Sequence, residues 1–250
     1  MRRGRRERLV QMWRRLNTGT IGTDAYWWIG LQNAAFYSDM APLIAGHARG
    51  RTLDIGAGRL AWRSVLMPHV TDYVSGDLSK GHPDLDVVLD VTSRLPFVDE
   101  TFDTLFCCSV LEHAPEPWNA LSEMRRVLVP GGIAIVSLPF VLHLHDEPYD
   151  YYRFTRYGIE HLAQRAGFEV VEMVVNGGLF HLVLNLPSVL LSTIWETMSL
   201  RTLIRPTTAA WLALAKRLDG MFNLKESFAS NYIVVLRKDS RREASVLSRK

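Results

Sequence analysis

The chain has only two cysteines, Cys107 and Cys108, and they are adjacent. Neighbouring cysteines rarely reach disulfide geometry, so a disulfide scaffold is excluded. Both sit in an apolar run and read as buried thiols of a reducing compartment. The arginine-rich N-terminus has no apolar core, which argues against a secretory signal, and too few hydroxyl residues for a transit peptide. No internal repeat or long low-complexity segment occurs. With 48% hydrophobic residues, wholesale disorder and collagen are excluded as well. Positive charge is missing where nucleic-acid binding would need it. The net charge is +3, but residues 1–15 hold seven arginines against Glu7 (+6), and residues 237–250 hold +4. Residues 16–236 are therefore left at −7. A basic groove across that body is ruled out, and no nucleic-acid partner is expected. The basic ends read as solvated tails, with contact to anionic lipid or RNA left open.

From residue 51 to about 140, short β-rich runs alternate with helical patterns. Strands are predicted over 51–55, 73–76, 85–89, 102–108 and 133–138, with a helix over about 118–128 that Pro130-Gly131-Gly132 stops. The fourth and fifth strands are almost wholly apolar, as strands covered on both faces are. This alternation argues an α/β fold: a parallel sheet with right-handed crossovers. Upstream, 33–48 reads as a helix. Downstream, a helix over 159–166 ends at Gly167, a strand over 168–175 follows, and a last strand is predicted over 231–236. Residues 179–228 read as a helical insertion, broken by Pro187 and Pro206. The domain plan is a basic extension (1–20), a body (21–238) and a charged tail (239–250). The oligomeric state is not legible.

The sharpest local signal is LDIGAG at residues 53–58. A strand ends in an acid, and Gly-x-Gly then turns the chain toward a helix, letting a ligand approach the main chain. The dinucleotide fingerprint wants a third glycine near 61, where this chain has Ala61. Asp77 follows Asp54 by 23 residues, at the end of the second strand, where a carboxylate can accept from ribose hydroxyls. Asp90 ends the third strand. Three acids along one crevice repel phosphates. They suit a ligand with ribose hydroxyls, an adenine amine and a cationic centre. That chemistry points away from NAD and ATP and toward S-adenosylmethionine.

With LDIGAG, Gly76-Asp77-Leu78, Asp90 with Leu95-Pro96-Phe97, Phe102-Asp103, Val110-Leu111-Glu112-His113 and Arg126-Val127-Leu128-Val129-Pro130-Gly131-Gly132 in this order, the chain resembles a class I S-adenosylmethionine-dependent methyltransferase of the type 11 group. The resemblance covers about residues 50–140. It implies a Rossmann-like seven-stranded sheet whose last strand is antiparallel, with helices on both faces. It also implies roles: Asp54, Gly56 and Gly58 at the methionine end, Asp77 with Leu78 at the ribose, Asp90 with Val91 at the adenine, and the backbone of Ser109 facing the methionine. Leu60 stands where the family often has glycine, and Ala57 where it commonly has cysteine or serine.

Methyl transfer is an in-line displacement, so the enzyme must hold a nucleophile about 3 Å from the methyl. A hydroxyl nucleophile also needs a base. His113, after the fourth strand, is one catalytic candidate; a hydrogen-bonded loop histidine is its plainer reading. Residues 139–155, after the fifth strand, are dense in titratable and aromatic side chains. A subset of type 11 proteins, seen among surface-glycan and lipid-associated methyltransferases, carries a similar His-x-x-Pro-x-Asp-Tyr-x-Arg-x-Thr run. It is matched here by His145, Pro148, Asp150, Tyr151, Arg153 and Thr155. His145 is the expected base or hydrogen-bond partner, with Tyr152 and Arg153 shaping the acceptor pocket. The alternative is that Asp150 and Arg153 lock the loop. Thr155 is expected to cap the next helix. His143, His145 and Asp146 show no third and fourth ligand, so no metal is expected.

Residues 173–195 carry no charge. Their length would suffice for a membrane span, but Asn176, Gly177, Gly178, His181, Asn185 and Pro187 argue against one. The segment 209–222 reads as an amphipathic helix. The insertion is expected to be a lid or packing surface. A dimer surface and an in-plane membrane contact through 179–222 remain alternatives. The expected function is methyl transfer from S-adenosylmethionine to a hydroxyl or other nucleophile of a small-molecule, sugar or lipid-linked acceptor, in the cytoplasm or peripherally at the membrane. The alternative is a non-catalytic scaffold of the same fold. The retained Asp54, Gly56, Gly58, Asp77 and Asp90 argue against it.

Overall fold

The structure is a computed structural model that describes residues 18–239. Most of the arginine-rich extension and of the charged tail lies outside those residues. In chain order the elements are α1 (Leu31–His47), β1 (Arg51–Ile55), α2 (Arg63–Leu66), β2 (Asp72–Asp77), β3 (Val87–Val88), β4 (Phe102–Cys108), α3 (Pro117–Val127), β5 (Leu128–Pro139), α4 (Arg156–Ala166), β6 (Phe168–Gly177), α5 (Leu179–Thr197), α6 (Ile204–Phe222) and β7 (Ala229–Lys238). They divide into two compact units. One holds Ala41–Val175 with the described residues from Asn231; the other holds Asn176–Ser230 with the described residues up to Met40.

The first unit is built on one sheet of order β3-β2-β1-β4-β5-β7-β6. The pairs β1–β2, β1–β4, β2–β3 and β4–β5 are parallel. β7 runs antiparallel to β5, with Ile133 opposite Arg237 and Pro139 opposite Asn231. Phe102, Leu105, Phe106 and Cys107 of β4 are fully buried, as expected of a central strand. Burial raises the Cys107 thiol well above its ordinary value and pushes Cys108 up to about 12, so both are inert. The strand order reverses between β1 and β4. In such sheets ligands bind outside the carboxyl ends of the strands at that reversal.

Three local expectations are corrected. The third strand is two residues long rather than five, because the Asp86 carboxylate accepts from the Ser75 N–H (2.8 Å) and hydroxyl (2.7 Å). A side chain thus takes the place of a ladder bond. The segment after Gly58 is a series of turns leading only to the one-turn helix α2. Pro130-Gly131-Gly132 lies within β5 as a bulge, since Phe102 faces Leu128 while Thr104 faces Ile133. Arg126, a residue of the family motif, is a clamp. Its guanidinium donates to Phe97 O (2.8 Å), Leu95 O (3.0 Å), Asp99 (2.8 Å) and Glu123 (2.8 Å). It thereby ties the 95–99 loop to the end of α3.

In the second unit, Leu31, Ala34, Ala35, Leu212 and Ala215 form a buried cluster, with Trp28, Phe180, Leu184 and Trp211 against it. Pro187 does not break α5, contrary to expectation. Proline removes a single N–H from a helix, and the neighbouring polar side chains are used elsewhere. Ser188 Oγ and Asn185 Oδ1 accept from the N–H groups of Leu31 (2.9 Å) and Gln32 (3.0 Å), capping α1. The start of α5 is capped by Asp219, which accepts from Phe180 N (2.9 Å) and lies 2.6 Å from His181 Nδ1. Gly178 precedes it at φ 156°, where any Cβ would collide with that carboxylate. α5 has a mean hydropathy of 1.3, long and apolar enough by composition to cross a membrane. Its Val183, Leu186, Leu190 and Ile194 form an exposed stripe at helical spacing.

Candidate active site

The carboxyl ends of β1 and β2 are joined by the loop after Ile55. Gly56 and Ala57 donate to Gly76 O (2.8 and 3.0 Å), and Gly58 N donates to Asp77 Oδ2 (2.8 Å). Gly56 has φ 73°, and a Cβ there would strike Val110, so this glycine is required on both counts. Leu60, where the resemblance has glycine, adopts φ 60°. That conformation costs a non-glycine residue roughly 1–2 kcal/mol. Burying Leu60 among Ala57, Leu85 and Tyr73 offsets the cost by about 1.5–3 kcal/mol. The departure is thereby accommodated.

Asp54 is 2% exposed and accepts the Tyr73 hydroxyl at 2.6 Å. Burial pushes its carboxyl up to about 7; the Tyr73 hydrogen bond opposes this, and the charge of Asp77 adds to it. Asp54 and Asp77 thus make an acidic pocket. Between about pH 4 and 7 the folded chain holds a proton that the unfolded chain, with its ordinary value of 3.8, has lost. Asp54 therefore costs stability as pH rises through that window. Asp54→Asn is expected to melt together with the native chain at pH 4. At pH 8 it should be more stable by on the order of 3 kcal/mol. Thermal melts at pH 4, 6 and 8 check this, and a constant difference between the two would overturn it.

Asp90 accepts from Thr92 N (2.8 Å) and Thr92 Oγ1 (2.6 Å), and Ser93 Oγ lies 3.4 Å away. The Thr92 hydroxyl first, with these other donors, holds its carboxyl below the usual range. Val91 beside it is buried, while Leu78 is 69% exposed. Ser109, just past β4, has φ 54° and donates its N–H to Ser137 Oγ (3.0 Å). Asp54, Gly58 and Asp77 therefore form one bonded and electrostatically linked group. Asp90 and Ser109 stand separately at the ends of their own strands, on the same edge.

Past β4, the turn Leu111–His113 meets the loop that follows β5. Glu112 O accepts from Tyr151 N (2.9 Å) and Tyr152 N (3.2 Å), and His113 Nδ1 lies 2.8 Å from Tyr149 O. These bonds bring His145 to His113, ring centres 4.9 Å apart and nearly perpendicular. His143 stays at 6.3 Å from His145. Arg153 is spent on the loop. It grips Asp150 with two nitrogens (2.6 and 2.7 Å) and donates to Leu142 O and His143 O. Arg153 also holds the Asp150 carboxyl well below the usual range. The Tyr152 hydroxyl is likewise committed, to Pro115 O at 2.8 Å. Thr155 caps α4 through Gly158 N (3.1 Å), as expected.

Sequence reasoning left Glu112 out of the site. Its side chain is fully buried, and neither carboxylate oxygen has a hydrogen-bond partner among the described residues. Oε1 lies 4.0 Å from His113 Nε2 and 3.9 Å from His145 Nε2. Burial raises its carboxyl; its own backbone N–H first, then the two imidazoles and Arg153, oppose that.

This sheet order, with acids at successive carboxyl ends, defines the class I methyltransferase architecture. A family model described as "Methyltransferase domain" matches residues 53–136. An uncharacterized methyltransferase of Mycobacterium avium (strain 104) is 36% identical over 107 residues, covering 37% of this chain and 42% of that protein. The chain thus aligns with less than half the length of this relative. An S-adenosylmethionine-dependent methyltransferase of Archaeoglobus fulgidus superposes with TM-score 0.53 at 16% identity, over 82% of this chain and 92% of that one. The [4+2]-cyclase SpnF superposes with TM-score 0.55 at 20% identity, over 80% of each chain. These last two likenesses concern the fold alone. Residues 53–136 thus match a methyltransferase domain, set in a fold shared with S-adenosylmethionine-dependent methyltransferases.

Proposed function

We propose that the chain moves a methyl group from S-adenosylmethionine to a hydroxyl or other nucleophile of a small-molecule, sugar or lipid-linked acceptor. The observation that carries this reading is one shared edge. The Asp54–Gly58–Asp77 group and the Glu112–His113–His145 cluster both lie at the carboxyl ends of the strands flanking the sheet's reversal.

The residues fit the cofactor. A buried acid that burial holds near neutrality is stabilised by a ligand bringing positive charge, and S-adenosylmethionine carries an ammonium and a sulfonium. Asp54, Gly56 and Gly58 would hold its methionine end, and Asp77 its ribose hydroxyls. Asp90, with Val91, would lie at the adenine, and Ser109 beside the methionine. The cofactor supplies a methyl activated on sulfur. The protein's share is placement: the acceptor oxygen must stand in line with that methyl. His145, backed by Glu112, takes up the proton the acceptor loses, with His113 beside it. Tyr152 and Arg153 contribute by fixing the loop that carries His145. The exposed stripe on α5 supports the lipid-linked branch of the acceptor class.

Calorimetric titration with S-adenosylmethionine, S-adenosylhomocysteine and NAD tests the reading. Binding of the first two without NAD is expected; absence of binding to either would overturn it. Acceptors are then screened free and in detergent micelles. Turnover confined to micelles would single out the lipid-linked branch.

A further inference from the structure

We propose that Glu112, His113 and His145 bind a divalent transition-metal ion of the zinc type. One ligand atom from each lies within 4.8 Å of the others. The argument rests on where the protons must be. His113 Nδ1 is 2.8 Å from Tyr149 O, which can only accept. His145 Nδ1 is 3.2 Å from His143 O and 3.5 Å from Asp150 Oδ2, also acceptors. Each neutral ring therefore carries its hydrogen on Nδ1, facing outward, and turns the lone pair of Nε2 inward. Those two lone pairs converge on Glu112 Oε1, at 4.0 and 3.9 Å, with no hydrogen between them. Three acceptors facing one another repel unless a cation or an added proton sits among them.

Glu112 sharpens the case. It is fully buried with both oxygens unpartnered among the described residues, a costly state for a carboxylate. The outward bonds match the support a metal-bound imidazole receives, where the non-ligating nitrogen donates to a carbonyl or carboxylate. Two imidazoles and one carboxylate favour zinc, iron(II) or manganese over magnesium or calcium, which prefer oxygen alone. Bonds of about 2.0–2.2 Å around a tetrahedral ion put ligand atoms roughly 3.4 Å apart. The two separations from Glu112 need to shrink by roughly half an ångström, and that between the two imidazoles, within 4.8 Å, by up to about 1.4 Å, an adjustment carried by a turn and a loop. Asp146, exposed and with Oδ2 4.0 Å from His113 Nε2, borders the fourth position, which stays open to an oxygen of the acceptor.

The inference deepens the proposed function and rests on it only for the acceptor's position. An ion held here would take the place of the free His145 base: it would polarise the acceptor's oxygen, whose proton would then pass to solvent water. The binding itself is independent of that reading.

The test uses tag-free, chelator-treated full-length chain, equilibrium dialysis against Zn²⁺ alone, and Mg²⁺ in parallel. One Zn²⁺ per chain is expected, with Mg²⁺ at least about 100-fold weaker. Glu112→Gln and His145→Ala should each weaken Zn²⁺ binding by about 100-fold or more. Zn²⁺ should raise the melting temperature of the native chain and not of the variants. S-adenosylmethionine titration of each variant confirms that it is folded. No stoichiometric Zn²⁺ uptake by the native chain, or unchanged uptake in both variants, would overturn the proposal. Zn²⁺ binding without cofactor binding would leave the metal site standing and remove the methyltransferase reading. Cofactor binding without Zn²⁺ would do the reverse, and would leave a shared proton as what holds Glu112 and the histidines together.

Discussion

Affinity for S-adenosylmethionine is expected to fall about 100-fold or more in Asp77→Ala. Hydrogen bonds to a charged group are worth about 1.5–3 kcal/mol each, and a ribose offers two hydroxyls to this carboxylate. Alanine also releases the Gly58 N–H from its 2.8 Å bond, freeing the turn beside the methionine end. That bond is exposed, so water replaces it and global stability should move by about 1 kcal/mol or less. Asp77→Asn separates the two contributions, because its amide oxygen still accepts from Gly58. It should recover part of the affinity. Calorimetry on the three chains reads the effect, and unchanged affinity in Asp77→Ala would remove the ribose assignment.

His145→Ala is expected to lower methyl transfer by about 10²–10⁴-fold, the usual contribution of a positioned acid–base group. Cofactor affinity should stay within a few-fold, since Gly58 is bonded to Asp77 and Asp54 to Tyr73, away from the loop that carries His145. Single-turnover rates measured beside cofactor titrations separate these quantities. A loss confined to thermal stability, with turnover per folded molecule unchanged, would assign His145 to the architecture of the loop.

The central strands were legible because burial on both faces writes a continuous apolar run, as in Phe102–Cys108. The edge strand β3 was not, because Asp86 supplies from its side chain what the ladder lacks, and a single aspartate has no strand signature. The continuity of α5 through Pro187 was likewise hidden. Asn185 and Ser188 serve a different helix, more than 150 residues away in the chain. At the site, the glycines and acids could be read from spacing because one turn sets their positions. Glu112 could not. Its burial depends on a loop 30 to 40 residues downstream, and the two imidazoles are oriented by the carbonyls of Tyr149 and His143, which any residue carries. The choice between substrate contact and loop lock for Arg153 was equally beyond the sequence, since both ask for the same residue.

The strand order also bears on how the chain is made. Among the described residues β7 is the last strand in chain order, yet it lies between β5 and β6, and nine of its ten residues are buried. A growing chain that has completed β6 therefore has two open strand edges and nothing to pair with either. Open edges of that kind invite association with other chains. The segment separating β6 from β7 prolongs this interval by the time taken to translate some fifty residues, several seconds at typical rates of roughly 5–20 residues per second. Completion of the sheet is thus a late event that waits on the C-terminal end of the described chain, and the nascent protein is most exposed to aggregation just before it.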